Sequence, residues 1–92
     1  MAVNITTALE LVKARLNRLA GDTTLDTYLT ARINAAIGEI EATGIHLDDS
    51  VCDLMLVVDY TVYAYQNRDK PNSMPEWLRL RRRERWVQEV GR

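Results

Sequence analysis

The chain has 92 residues, of which 47% are hydrophobic and 27% charged, and its formal net charge is -1. This composition is typical of one ordinary globular domain spanning residues 1–92, and it excludes wholesale disorder and collagen-like or low-complexity classes. Cys52 is the only cysteine, so neither an internal disulfide nor a multi-cysteine metal site can form. We find no signal-peptide pattern and no apolar run long enough to span a bilayer, and we expect a soluble, cytosolic protein.

Charge is unevenly distributed along the chain. Residues 1–74 contain 6 basic and 10 acidic side chains, whereas residues 75–92 contain 6 basic and 3 acidic ones. The sequence therefore predicts a positively charged final segment on an acidic body.

A first helix is predicted near the N-terminus, because apolar residues recur there at spacings of three and four. Thr7 and Glu10 have the spacing of a capping box, and Gly21 is the expected left-handed stop. The predicted apolar stripe consists of Ile5, Leu9, Val12, Leu16 and Leu19.

A second helix is predicted to begin at Thr23 or Thr24 and to run to about Thr43, where Gly44 ends it. Its side chains form two groups, one apolar and one small enough to let another helix approach closely. The apolar group is Leu25, Leu29, Ile33, Ala36, Ile37 and Ile40. The small group is Ala31, Ala35, Ala36 and Gly38.

The third segment, residues 51–66, is the most apolar part of the chain, and we expect the other elements to surround it. Its alternation also fits a strand, so periodicity alone does not decide its structure. The length of the segment and the N-cap residues just before it favour a helix. Those N-cap residues are Asp48, Asp49 and Ser50.

Polar groups in and near this helix are predicted to have structural roles. Cys52 is expected to lie in the core, and His46 is interpreted as a loop histidine beside capping aspartates. Asp53 and Asp59 do not share a helix face, so they form a poor acid/base pair, and each is expected to meet water or a cation such as an arginine of the last helix. Core and rim positions are predicted for Tyr60, Tyr63 and Tyr65.

The last helix is predicted to open at Ser73 to Glu76, with Pro75 in its first turn. Its apolar residues divide between two faces, which one core cannot easily bury together. One face carries Leu80, Trp86, Val87 and Val90, and the other carries Met74, Trp77 and Leu78.

Tryptophan and arginine dominate this helix, and both residue types are enriched in interface hot spots. The sequence therefore predicts a protein interface formed by Trp77, Leu80, Arg81, Arg82, Arg83, Arg85, Trp86 and Val90. The alternative is a solvated face on which arginine stems cover the tryptophans. Phosphate binding by the arginines is a further alternative, although glutamates interrupt the run and sequence-specific nucleic-acid binding is not expected. No catalytic, cofactor-binding or metal-binding motif is found, so we do not expect an enzyme.

The order of these parts resembles the small all-α head-tail connector (adaptor) proteins of tailed bacteriophages and prophages. The resemblance covers most of the chain and is carried by ALELVKARLN, DTTLDTYL, IEATGI, YAYQNRD and MPEWLRLRRRERW. It implies an all-α fold, a small four-helix bundle-like domain with a central hydrophobic third helix and an amphipathic C-terminal helix.

The resemblance also implies a structural role without enzymatic activity or cofactor. Subunits would be monomers alone and assemble as a dodecameric ring beneath the portal protein. The ring would contact neck and tail-completion proteins in the virion neck, after assembly in the host cytoplasm. Two rival functions remain open from the sequence: a DNA-binding or DNA-packaging accessory protein that uses the basic last helix, and a plain structural or regulatory dimer.

Overall fold

Four α-helices account for the secondary structure of the residues that the computed structural model describes, 3–17, 23–67 and 74–91, and no strand occurs within them. They are α1 (Ile5–Arg15), α2 (Asp26–Glu41), α3 (Val51–Gln66) and α4 (Glu76–Val90). The all-α prediction is confirmed, and the apolar third segment is a helix.

Helix α3 is the central element, and α1, α2 and α4 all pack against it while α1 and α2 also contact each other. Every residue from 56 to 62 is buried. Because these residues cover nearly two turns, α3 is enclosed on all sides there, which explains why it shows no clear apolar stripe. The buried Thr61 hydroxyl donates to the Val57 carbonyl oxygen at 2.8 Å, so it is satisfied within the helix itself.

Helix α1 begins earlier than the sequence pattern predicted. Asn4 is its N-cap and accepts a hydrogen bond from the Thr7 backbone N–H at 3.1 Å, so the predicted capping box of Thr7 and Glu10 is wrong. Asn17 has a φ of 59° just beyond the helix, a conformation that asparagine tolerates better than most residues. The predicted stop at Gly21 and the last stripe residue, Leu19, lie outside the described residues.

The apolar stripes of α1 and α2 face the core largely as predicted, with Ala8 as an addition on α1. Fully or nearly fully buried members are Val12, Leu29, Ile33, Ala36 and Ile40. Partly buried members are Ile5, Leu9, Leu16, Leu25 and Ile37.

Gly44 ends the turn after α2 with a φ of 99°, as predicted for a left-handed stop. Helix α2 itself starts at Asp26, later than expected. Of its small residues, Ala36 is packed in the core at 3% exposure. The predicted close approach is wrong for Ala31, Ala35 and Gly38, which are exposed, and nothing lies within 4 Å of a Cβ built on Gly38. Gly38 and Ala31 are about half a turn away from the buried stripe, so they face outward.

Two further predictions are corrected at helix starts. Cys52 is exposed instead of buried. Val51 beside it is 73% exposed as well, whereas Asp53 in the same turn is buried against Arg85, so only one side of this turn is covered. Pro75 is the N-cap of α4 and precedes its first turn. The proposed cap residue Ser73 lies outside the described residues.

Replacing Leu29, which is 0% exposed, with alanine is expected to lower the free energy of unfolding by about 2–5 kcal/mol through lost burial and a residual cavity. The matched control, Val51→Ala, removes a mostly exposed side chain and is expected to change it by less than about 0.5 kcal/mol. Chemical denaturation followed by circular dichroism measures both values. Equal losses in the two variants would contradict the packing described for α2.

Candidate functional site

Helix α4 buries charge on one face and exposes apolar side chains on the other. Leu78 and Arg85 are seven residues apart, and both face the body at 0% and 8% exposure. Leu80 and Val87 are also seven apart, and they lie on the opposite side of the helix, at 44% and 52% exposure. The remaining large exposed apolar side chains of α4 are Trp77, Trp86 and Val90.

Arg85 is the centre of a buried polar network between α4, α3 and the linker that precedes α3. Its Nε and Nη2 donate to the two carboxylate oxygens of Asp53, at 2.8 and 3.2 Å. Its Nη1 donates to Glu89 at 2.9 Å, and its Nη2 also donates to the His46 carbonyl oxygen at 2.8 Å. The carboxylate of Asp53 raises the pKa of Arg85 above its ordinary value, and Glu89 adds to this effect, whereas burial opposes it.

Asp53 holds the linker as well as α4. Its Oδ2 accepts from the Asp48 backbone N–H at 2.9 Å, and its own N–H donates to the Ser50 hydroxyl that caps α3. One carboxylate thus fixes the start of α3, the end of the linker and the middle of α4. The predicted capping role among residues 48–50 is confirmed for Ser50.

Asp59 forms a second charged contact, between α1 and α4. Its side chain is 8% exposed and accepts from Arg15 at 2.5 Å and from Arg81. The expectation that Asp53 and Asp59 meet arginines of the last helix is confirmed. The earlier aspartate pairs with the later arginine, as antiparallel packing of α3 and α4 requires.

His46 is exposed in the linker, as interpreted from the sequence, and its Nδ1 lies 2.6 Å from Glu89 Oε1. Glu89 is therefore shared between Arg85 and His46, a contact that sequence spacing did not suggest.

Arg79 and Arg83 are exposed and make no contact with this network among the described residues. Arg79, Arg82, Arg83 and Trp86 line a surface groove together with Thr43 at the end of α2. The indole of Trp86 approaches the turn closely, since its Nε1 lies 3.7 Å from a Cβ built on Gly44. The turn conformation at Gly44 is what favours glycine there, since a Cβ at that position would make an ordinary contact with the indole.

Arg82 is only half-buried, and it also interacts with the buried Tyr60. Burial raises the pKa of Tyr60, and Glu39 raises it further, while Arg82 acts in the opposite direction. The tyrosines lie where the sequence predicted, with Tyr60 in the core and Tyr63 and Tyr65 packed at its edge.

The predicted interface residues therefore fall into two groups. Arg81 and Arg85 bind carboxylates of the same chain, and the assignment of the buried Arg85 to an external contact is corrected. Those reaching the surface are Trp77, Leu80, Arg82, Arg83, Trp86 and Val90, and Val87 joins them. The sequence did indicate that some arginines would be needed inside the molecule, because two aspartates within an otherwise apolar helix require buried partners.

Within the described ranges, no group of three or more histidine, cysteine, aspartate or glutamate side chains is placed to hold a metal ion. None of the described helices combines the length and apolarity needed to cross a membrane. Comparisons with protein-family models, curated proteins and solved structures found no match to this chain.

Replacing Arg85 with methionine is expected to lower the free energy of unfolding by about 3–5 kcal/mol, because Asp53 is left as a buried charge without its partner. The double variant Asp53→Asn, Arg85→Met is expected to lose less than the two single variants combined. Arg83→Met, on the exposed face, is the matched control and should change stability by less than about 0.5 kcal/mol. Additive losses in a denaturation double-mutant cycle would contradict the coupling.

Acid is expected to weaken the linker through Asp48. The hydroxyl and backbone N–H of Ser50 lower the pKa of Asp48 from 3.8 to about 2. Since the unfolded state binds this proton more readily, the stabilisation is present above about pH 4 and is lost as the pH falls towards 2. The stability difference between the wild type and Asp48→Asn, measured by denaturation from pH 2 to 5, should therefore shrink on acidification. A difference that stays constant would contradict the assignment.

Proposed function

We propose that this chain is a structural assembly protein that docks on other protein chains through the outward face of α4. The observation that carries the proposal is the orientation of α4: Arg81 and Arg85 face the body, whereas its large apolar side chains other than Leu78 are exposed to solvent. A helix that functions only within a monomer normally has the reverse arrangement.

Exposure of these side chains argues against the alternative in which arginine stems cover them. Val87 and Val90 are 52% and 58% exposed, and both tryptophans retain 41% or more of their surface. Tryptophan contributes strongly to binding when a partner covers it, because it buries a large area at low entropic cost. A protein partner is therefore the occupant that this face suits best.

Within this class, we propose a head-tail connector (adaptor) of a tailed bacteriophage or prophage. Support comes from the sequence resemblance. The four helices, with the most apolar one third and an amphipathic one last, also agree with the helix order that the resemblance implies. The partners would be neighbouring subunits in a dodecameric ring, the portal protein, and neck and tail-completion proteins. Its place would be the virion neck, with assembly in the host cytoplasm.

Arg79, Arg82 and Arg83, which line one surface groove, favour a second candidate, a DNA-binding or DNA-packaging accessory protein. Glu76 and Glu84 lie on the same helix and reduce its net positive charge. Tight duplex binding whose affinity falls steeply with salt would support this alternative over the connector.

The double substitution Leu80→Ser, Val87→Ser is expected to leave the helix content of the isolated chain unchanged and to weaken its assembly with a partner by about 2 kcal/mol or more, the magnitude of an interface hot spot. Circular dichroism measures the first quantity. Cosedimentation with the portal protein of a tailed bacteriophage, followed by electron microscopy, measures assembly.

Gln66→Ser, at an exposed position at the end of α3 and outside α4, is the matched control and should leave assembly unchanged. Wild-type assembly by the Leu80/Val87 variant, or collapse of its helix content, would contradict an outward docking face.

A further inference from the structure

Three arginines and no carboxylate of the described residues line the groove beside Trp86. The arginines are Arg79, Arg82 and Arg83, and the groove's volume of about 280 Å³ suits one or two side chains rather than a cofactor. Arg79 makes a long contact to Glu76, at 4.0 Å and at the surface. Among the described residues, no carboxylate forms a salt bridge with Arg83.

The arginines that stabilise the fold and those that line the groove are different residues. Arg81 and Arg85 turn towards Asp59 and Asp53, so their charges are neutralised inside the molecule. Arg82 also interacts with the buried Tyr60. Loss of the other two groove arginines, Arg79 and Arg83, would leave that contact and the buried ion pairs intact.

We propose that this groove binds carboxylate side chains of an acidic segment in a partner protein, and that the adjacent Leu80 and Val87 bind apolar side chains of the same segment. This inference rests on the proposed function, since it names the chemistry of the partner that docks on α4. Guanidinium groups bind carboxylates through paired, charge-assisted hydrogen bonds. The arginine groove and the apolar depression between Leu80 and Val87 are adjacent, because Arg83 borders both of them.

An acidic protein segment fits this surface better than a nucleic acid does. A phosphate backbone needs an extended basic track, whereas here Glu84 and Gln88 border the apolar depression on its far side. The exposed valines and leucine have no counterpart in a sugar-phosphate backbone, but they complement the apolar face of an amphipathic helix.

The test uses the full-length chain with Trp77→Phe, so that the remaining indole, Trp86, reports binding by fluorescence. The probes are two synthetic amphipathic helical peptides with identical leucine stripes, one flanked by glutamates and the other by glutamines, and a short DNA duplex. We expect the glutamate peptide to bind saturably and at least about tenfold more tightly than the glutamine peptide, as charge-assisted hydrogen bonds require.

Adding Arg79→Gln and Arg83→Gln should abolish this preference for glutamate without changing the circular dichroism spectrum. The control Glu10→Gln removes an exposed charge on α1, away from α4, and should preserve the preference. Equal affinity for both peptides, no binding of either, or tighter binding of the duplex would overturn the inference.

Assembly assays distinguish this inference from the proposed function. If assembly depends on Leu80 and Val87 but not on Arg79 and Arg83, α4 is still a docking face and the acidic partner is wrong. If neither pair matters, the proposed function fails as well.

Discussion

The buried ion pair between Asp53 and Arg85 determines where α4 lies on the body. Such a pair adds little net stability, because desolvation of the two charges offsets their attraction. Separating the two partners is costly, however, since each would remain buried without its counter-charge. Asp48 and His46 bind to the same network, and the observed placement of α4 satisfies all of these groups together. The main effect of the pair is therefore to fix the position of α4 on α3, and its net contribution to stability is small.

This attachment explains why α4 presents apolar residues to solvent. Leu78 is the only fully buried apolar side chain that α4 adds to the core among the described residues, and arginines supply most of its remaining inward contacts. Because the inward face carries Arg81 and Arg85, the outward face is free to carry Leu80 and Val87. The fold thus provides a helix whose apolar surface is available to another chain.

Much of this architecture was predictable from spacing. The stripes of α1 and α2, the stop at Gly44 and the helical state of α3 all follow from local patterns that act within a few residues. Spacing did not predict which arginines of α4 form buried ion pairs and which stay exposed. That outcome depends on which aspartate each arginine meets across the α3–α4 contact. Cys52 was misplaced for a related reason: an apolar run does not reveal which side of the helix its neighbours cover.

The same carboxylates set an order of events during synthesis. Asp53 precedes Arg85 by 32 positions, so at about 5–20 residues per second the ribosome adds the aspartate roughly 2 to 6 s before its counter-ion. Asp59 already has Arg15 available from α1, but Asp53 has no comparable early partner among its contacts. Because an unpaired buried carboxylate is costly, we expect the beginning of α3 to become buried only after α4 has been translated.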